Sequence, residues 1–167
     1  MPQKQPDFES LVRTLNAEGV RFVVIGGLAM ILHGSDYATV DSDFAIADDP
    51  ENTEPLVRAL APLRPHPHNT TFEYFVWDAR SIAGAVISLA TDAGDVDLLR
   101  VIPGVDSFEG LYGRSEVRKA YGETVRVASL ADLIAMKRQA DRPKDRNHLI
   151  ELEALAALRA AKGAGPN

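Results

Sequence analysis

The sequence predicts an α/β protein of the α+β kind, with helices flanking a mixed β-sheet, and three observations carry that prediction. Val23-Val24-Ile25 is a short apolar run of strand type that passes through Gly26-Gly27 directly into apolar positions at helical spacing. Val86 to Leu89 and Val96 to Leu99 are two extended runs joined by Thr91-Asp92-Ala93-Gly94, which reads as an antiparallel hairpin. Stripes of helical period are interleaved with such runs along the chain, so α and β elements share one layer system. An antiparallel pair among them favours a mixed sheet over a doubly wound parallel one.

Taken in order, Phe8, Leu11, Val12 and Leu15 recur at i, i+3, i+4 and i+7 and predict a first amphipathic helix. The strand into Gly26-Gly27 follows, then a second helix with Leu28, Ala29, Ile31 and Leu32 on one side. A strand then carries Asp41 and Asp43. Leu56, Val57, Leu60 and Leu63 mark a third helix, and a short segment from Phe72 to Ile82 leads into the hairpin, where Gly94 suits the left-handed position of the loop. Thr124 to Val127 is a further strand. Ser129 and Asp132 make a capping-box-like start for a helix whose stripe is Leu130, Leu133, Ile134 and Lys137, and a last helix begins near Asp145. No internal repeat is visible.

Composition points to one domain over residues 1–167 with its core at about 7–160: 167 residues at 46% hydrophobic content are enough for one sizeable core and too few for two. Residues 1–6 and the Gly/Ala-rich stretch 161–167 are expected to fray. The chain has no cysteine, which removes disulfides and thiolate metal sites and agrees with a cytoplasmic location. MPQKQPDFES has no apolar core of signal type, and no run approaches a membrane span. The net charge of −6 argues against broad non-specific nucleic-acid binding. Locally, however, Arg138, Arg142, Lys144 and Arg146 outnumber Asp141 and Asp145. That stretch reads equally as a solvated helix junction or as a basic groove for triphosphate or a polynucleotide end.

The chemistry centres on Asp41 and Asp43 in TVDSDFAI. In an extended segment both point to one face and Ser42 to the other. Carboxylates so close repel, and one takes up a proton unless a cation lies between them. Magnesium is the natural candidate, being hard and commonly held by one or two carboxylates with substrate phosphates completing its shell. An acidic turn ahead of an edge strand would present the same tripeptide. Gly26 and Gly27 strengthen the phosphate reading, because a helix start exposes free N–H groups and glycine leaves room for close approach. Neither G-x-G-x-x-G nor G-K-[ST] is present. In GDVDLL, Asp95 and Asp97 share a face; Asp97, in mid-strand, is favoured as a site residue over Asp95, which abuts the turn. Lys137, on the apolar stripe of its helix, either snorkels to solvent or reaches a buried anion. His66 and His68 in RPHPHNT are expected in an extended, solvated loop. His33 either faces the nucleotide or meets the last carbonyls of its helix.

The runs VVIGGLAMILHG, ATVDSDFAI, TDAGDVDLLRVIPGV and SLADLIAMKRQADRPKD together resemble the DNA polymerase β-like nucleotidyltransferase superfamily, and more closely its small bacterial members of the AbiEii and minimal nucleotidyltransferase type. The resemblance implies a nucleotidyltransferase fold in which Gly26, Gly27 and Lys137 meet the phosphates of a nucleoside triphosphate. Asp41, Asp43 and Asp97 would hold two Mg²⁺ or Mn²⁺ ions, with Asp97 alternatively accepting the proton of the acceptor hydroxyl. Attack falls on the α-phosphate and pyrophosphate leaves. Acceptors in the group include protein hydroxyls, tRNA 3′ ends and antibiotics, and several members act as toxin-like proteins with a cognate partner. Two positions depart from the pattern: Tyr37 stands where many relatives have arginine, and His148 where many have aspartate. A fold kept without catalysis, binding nucleotide or a partner, is the alternative, and a hydrolase using the same carboxylates is a third.

Overall fold

A computed structural model describes residues 5–163. Helix α1 (Phe8–Ala17) starts where the Asp7 carboxylate accepts from the backbone N–H of Ser10 at 3.0 Å, and it buries Leu11, Val12 and Leu15 as its spacing predicts. Strand β1 (Phe22–Ile25) is buried throughout and passes straight into helix α2 (Gly26–Leu32). Strand β2 (Asp41–Ile46) follows. Helix α3 (Pro50–Leu60) begins six residues before its apolar stripe, because Asp49 caps it by accepting from Asn52 N–H at 2.8 Å and Pro50 suits the first turn.

The hairpin forms as read, with β3 (Val86–Thr91), β4 (Gly94–Leu99) and Gly94 at φ +106°. Helix α4 (Phe108–Arg114) and strand β5 (Glu116–Ala120) have no counterpart in the sequence reading. Two internal glycines weaken the pattern of α4. The exposed residues of β5 are Val117 and Lys119, its partly buried ones Glu116, Arg118 and Ala120, so no apolar face marks it. Its turn into β6 (Glu123–Val127) places Tyr121 at φ +56° and Gly122 at φ +74°, a left-handed pair that a tyrosine disguises. Helices α5 (Leu130–Ala140) and α6 (Pro143–Gly163) complete the chain. Residues 161–163 therefore continue a helix where fraying was expected, and Asp7 N–H is bonded to Ala93 O at 2.8 Å. The remainder of the expected frayed ends, 1–4 and 164–167, lies outside the described residues.

The six strands form one mixed sheet in the order β3-β4-β2-β1-β6-β5. Pairs β1–β2, β3–β4 and β5–β6 are antiparallel, while β1–β6 and β2–β4 are parallel. The core of Leu, Val, Ile and Phe side chains includes Val23 and Val24 on β1, Phe44 and Ile46 on β2, and Leu98 on β4, all closed to solvent. Asn52 fixes the far end of the central pair: its buried amide accepts from Arg21 N–H at 2.7 Å and donates to the carbonyls of Arg21 and Ala47, each at 3.1 Å. That clamp pins β2 at the end opposite its aspartates. Replacing it strands Arg21 N–H and Ala47 O, while Arg21 O keeps the Ala47 N–H at 3.3 Å, so Asn52→Ala is expected to lower unfolding free energy by about 2–4 kcal/mol. Urea denaturation measures this; a loss under about 0.5 kcal/mol, the range of an inert surface change, would show that the clamp is dispensable.

Candidate active site

The parallel pairing of β2 with β4 sets Asp41 opposite Asp95 and Asp43 opposite Asp97. All four carboxylates thus lie on one face of the sheet, each partly buried, while Ser42 points to the other face and is fully buried. The expectation that Asp41, Asp43 and Asp97 come together is met in the backbone register, and Asp95 joins them. Burial pushes Asp43 up to about 7, and the nearby charges of Asp97 and Asp41 act in the same sense, as does a hydrogen bond with Asp97. Lys137 offsets only part of this.

The neighbouring cations are already engaged. Lys137 Nζ lies 3.0 Å from Asp145 Oδ1, and Arg142 Nε lies 2.6 Å from Asp145 Oδ2. The Asp145 side chain is only 1% exposed. Burial alone would raise its proton affinity, but the hydrogen bonds from Arg142 and Lys137 hold the carboxyl well below the ordinary range. Lys137 does reach inward rather than snorkelling, with 13% of its side chain exposed. Its partner Asp145 counted in the sequence only as one acid within a basic stretch; the signal missed is that Lys137 and Asp145 fall on facing sides of the sharp turn from α5 to α6.

The glycine pair makes room for the site's own side chains. A Cβ on Gly26 would stand 2.1 Å from Asp43 Oδ2, and its φ of +64° also calls for glycine. A Cβ on Gly27 would stand 2.7 Å from Thr39 Oγ1 and 2.9 Å from the Tyr37 ring. Gly26, Asp43, Lys137 and Arg142 line a cleft of about 380 Å³ together with the apolar Leu99, Ile102, Leu133 and Met136.

The histidines sort by environment. His33 is buried, with Nε2 2.8 Å from Ala128 O and Nδ1 2.9 Å from an Arg159 nitrogen, so it locks α2 to the chain after β6 and does not face the cleft. His148 meets the Tyr37 ring edge to face, centroids 4.4 Å apart, which brings the two departures from the family pattern into one contact. His66 exchanges backbone hydrogen bonds with Ala90, and His68 Nδ1 lies 4.0 Å from Asp95 Oδ1. His68 stays half-exposed in its loop, as expected, and β-bridging at His66 brings it near Asp95, a carboxylate distant in sequence.

Among the described residues, no three His, Asp or Glu side chains form a metal cage by themselves. Asp43, buried against Asp97 with its cationic neighbours committed elsewhere, still fits a hard divalent ion, since such ions take one or two protein carboxylates and leave the rest of the shell to phosphate and water.

Three solved structures share the fold. The lincomycin-bound lincosamide antibiotic adenylyltransferase LnuA superposes with a TM-score of 0.62 at 12% identity, over 90% of this chain and 98% of that one. The antibiotic-resistance factor ANT(2'')-Ia gives 0.54 at 14% identity, over 94% and 91%. A Thermotoga maritima protein proposed to be a nucleotidyltransferase gives 0.51 at 18% identity, over 93% and 90%. Among curated proteins, none matches the chain in sequence. The fold is that of an enzyme of the nucleotidyltransferase class. The chain belongs to the family described as nucleotidyl transferase of unknown function (DUF2204), whose profile matches residues 4–162.

The Asp43 shift has a sign that can be checked. In metal-free protein its carboxyl binds a proton up to about pH 7 when folded but only to about 3.8 when unfolded. The stability this contributes is complete below the lower value and is lost as pH rises through the upper one. From pH 4 to 8, wild type is expected to lose up to about 4 kcal/mol relative to Asp43→Asn. Urea denaturation in EDTA follows the difference, and parallel curves for the two proteins would refute the shift.

Proposed function

We propose that this enzyme moves a nucleoside monophosphate from a nucleoside triphosphate to a hydroxyl of a small organic acceptor, releasing pyrophosphate, with Mg²⁺ or Mn²⁺ held by Asp41, Asp43 and Asp97 as two ions. The observation that carries it is the register that sets Asp43 against Asp97 beside a cleft walled by Gly26 and Lys137. Bound divalent cations would neutralise the phosphoryl oxygens and the pyrophosphate that departs. Asp43 and Asp97 would be the central ligands, and Asp41 would extend the set toward the open end of the strand. Lys137, held by Asp145, would present its ammonium to the phosphates, with the Gly26-Gly27 backbone beside it. The apolar wall of Leu99, Ile102, Leu133 and Met136 would cover the nucleoside. A site of this size, about 380 Å³, suits a ligand of that class.

Charge favours a small acceptor over a polynucleotide. Arg138, Arg142 and Arg146 are paired with Glu153, Asp145 and Asp141, so the basic stretch is largely neutralised, and the chain carries −6 overall. The names of LnuA and ANT(2'')-Ia, as an antibiotic adenylyltransferase and an antibiotic-resistance factor, agree with this choice. A second reading, nucleotide binding without turnover, draws on Tyr37, whose ring packs onto Gly27 at the mouth of the phosphate site. A tRNA or protein acceptor, and a toxin-like role with a cognate partner, are tested in the same experiment.

The protein is incubated with Mg²⁺ or Mn²⁺, each α-³²P nucleoside triphosphate, and in separate reactions lincomycin with other hydroxylated antibiotics, total bacterial RNA, and total protein. Label is expected on a small molecule, and Asp41→Ala or Asp43→Ala is expected to lose at least about a thousandfold in rate, roughly 4 kcal/mol of transition-state stabilisation. Label on RNA or protein would replace the acceptor class, and tight nucleotide binding with no labelled product would favour the inert module.

A further inference from the structure

We propose that His68, oriented by Asp95, is the base that takes the proton from the acceptor hydroxyl; this rests on the transfer reading above. The placement is built by the sheet. His66 N–H donates to Ala90 O at 3.0 Å and Ala90 N–H donates to His66 O at 2.8 Å. Ala90 is the register partner of Asp95, and Asp95 of Asp41. One lateral row thus runs from the histidine loop across β3 and β4 to β2. Two residues beyond this anchor, His68 brings Nδ1 to 4.0 Å from Asp95 Oδ1. Pro65 and Pro67 each fix one backbone torsion in the same loop, which limits how far the imidazole can wander.

The direction of the reaction places the acceptor at this end. Lys137, Arg142 and Gly26 gather on the Asp43 side, where the triphosphate would lie. In an in-line displacement the incoming oxygen approaches opposite the leaving pyrophosphate. From Asp43 and Asp97 the carboxylate row leads away from the cations to Asp41, Asp95 and His68. Asp97 is assigned to the metal ions in the reading above, paired in register with Asp43. His33 has both ring nitrogens engaged in the interior, and His148 packs on Tyr37 beside the Gly27 end of the site. His66 turns its Nδ1 to Arg64 O at 2.9 Å, and His68 is left, half-exposed at 52% and open to water.

In the proposed step His68 carries its proton on Nδ1, facing Asp95, and keeps a lone pair on Nε2. The acceptor O–H proton passes to Nε2 as the oxygen forms its bond to the α-phosphorus. The bond from that phosphorus to the bridging oxygen breaks, and its electron pair leaves with pyrophosphate. The imidazolium then loses its Nε2 proton to solvent, and Asp95 acts throughout as a positioning residue.

The test uses the full chain in single-turnover transfer of α-³²P label to lincomycin and other hydroxylated antibiotics, with nucleotide affinity measured separately by equilibrium binding. His68→Ala and His68→Gln are expected to slow transfer by about a hundredfold at unchanged nucleotide affinity, and added imidazole is expected to restore most of the rate to His68→Ala. Asp95→Asn is expected to slow transfer at unchanged affinity without imidazole rescue, while His66→Gln transfers normally. Wild-type rates in both His68 variants, or a rate loss that only tracks lost nucleotide affinity, would overturn the proposal. Absence of transfer by wild type would instead strike the small-molecule reading itself, and this proposal with it.

Discussion

The parallel register between β2 and β4 is the constraint on which the rest of the molecule depends. A shift of one residue in that pairing would send Asp43 or Asp97 to the opposite face, where Ser42, Val96 and Leu98 are packed out of contact with solvent. The apolar residues alternating with the aspartates thus hold the register, because they can be buried on only one side. Parallel neighbours cannot be joined by a tight turn. The long excursion through α3, the histidine loop and β3 is what the chain uses to return, and it delivers His68 to the site on the way.

Around that register the protein treats two groups of buried acids in opposite ways. Asp145 is compensated completely, with Arg142 and Lys137 both within hydrogen-bond distance, and its carboxyl is held ionised. Asp43 receives no such partner; it faces Asp97, and its carboxyl retains a proton to near neutrality. An uncompensated buried acid costs stability unless something positive arrives. Asp145 therefore acts structurally, fixing Lys137 at the cleft wall, while Asp43 has no ion-pair partner among the described residues; acids shifted this strongly are concentrated at functional sites.

Much of this was legible in the sequence, and the omissions have physical causes. The strand period put Asp41 and Asp43 on one face, and the hairpin residues Thr91 to Gly94 placed Asp97 on a second strand; the pairing of the two strands is a non-local fact no local pattern encodes. Strand β5 was hidden because no apolar face sets its charged residues apart, as is common where an edge must resist further pairing. Its turn was hidden because Tyr121 occupies a left-handed position usually left to glycine or asparagine. His68 is solvated as read, while its approach to 4.0 Å from Asp95 depends on the His66–Ala90 bridge, a long-range pairing that no local pattern shows. Gly26 and Gly27 were legible as necessary, but for one reason of two: phosphate access was visible in the motif, whereas the space taken by Asp43, Thr39 and Tyr37 was not.

Tyr37 and His148, read from sequence as two separate departures from the family pattern, are one contact. Burial, and then the nearby Lys137 charge, lower the proton affinity of His148 and keep it neutral, which suits an edge-to-face contact with the tyrosine ring. The Lys137–Asp145–Arg142 cluster lies close by, with every member within 3.2 Å of its partner. The two departures accordingly place an aromatic pair beside Gly27, while Lys137, Asp145 and Arg142 keep their own pairing.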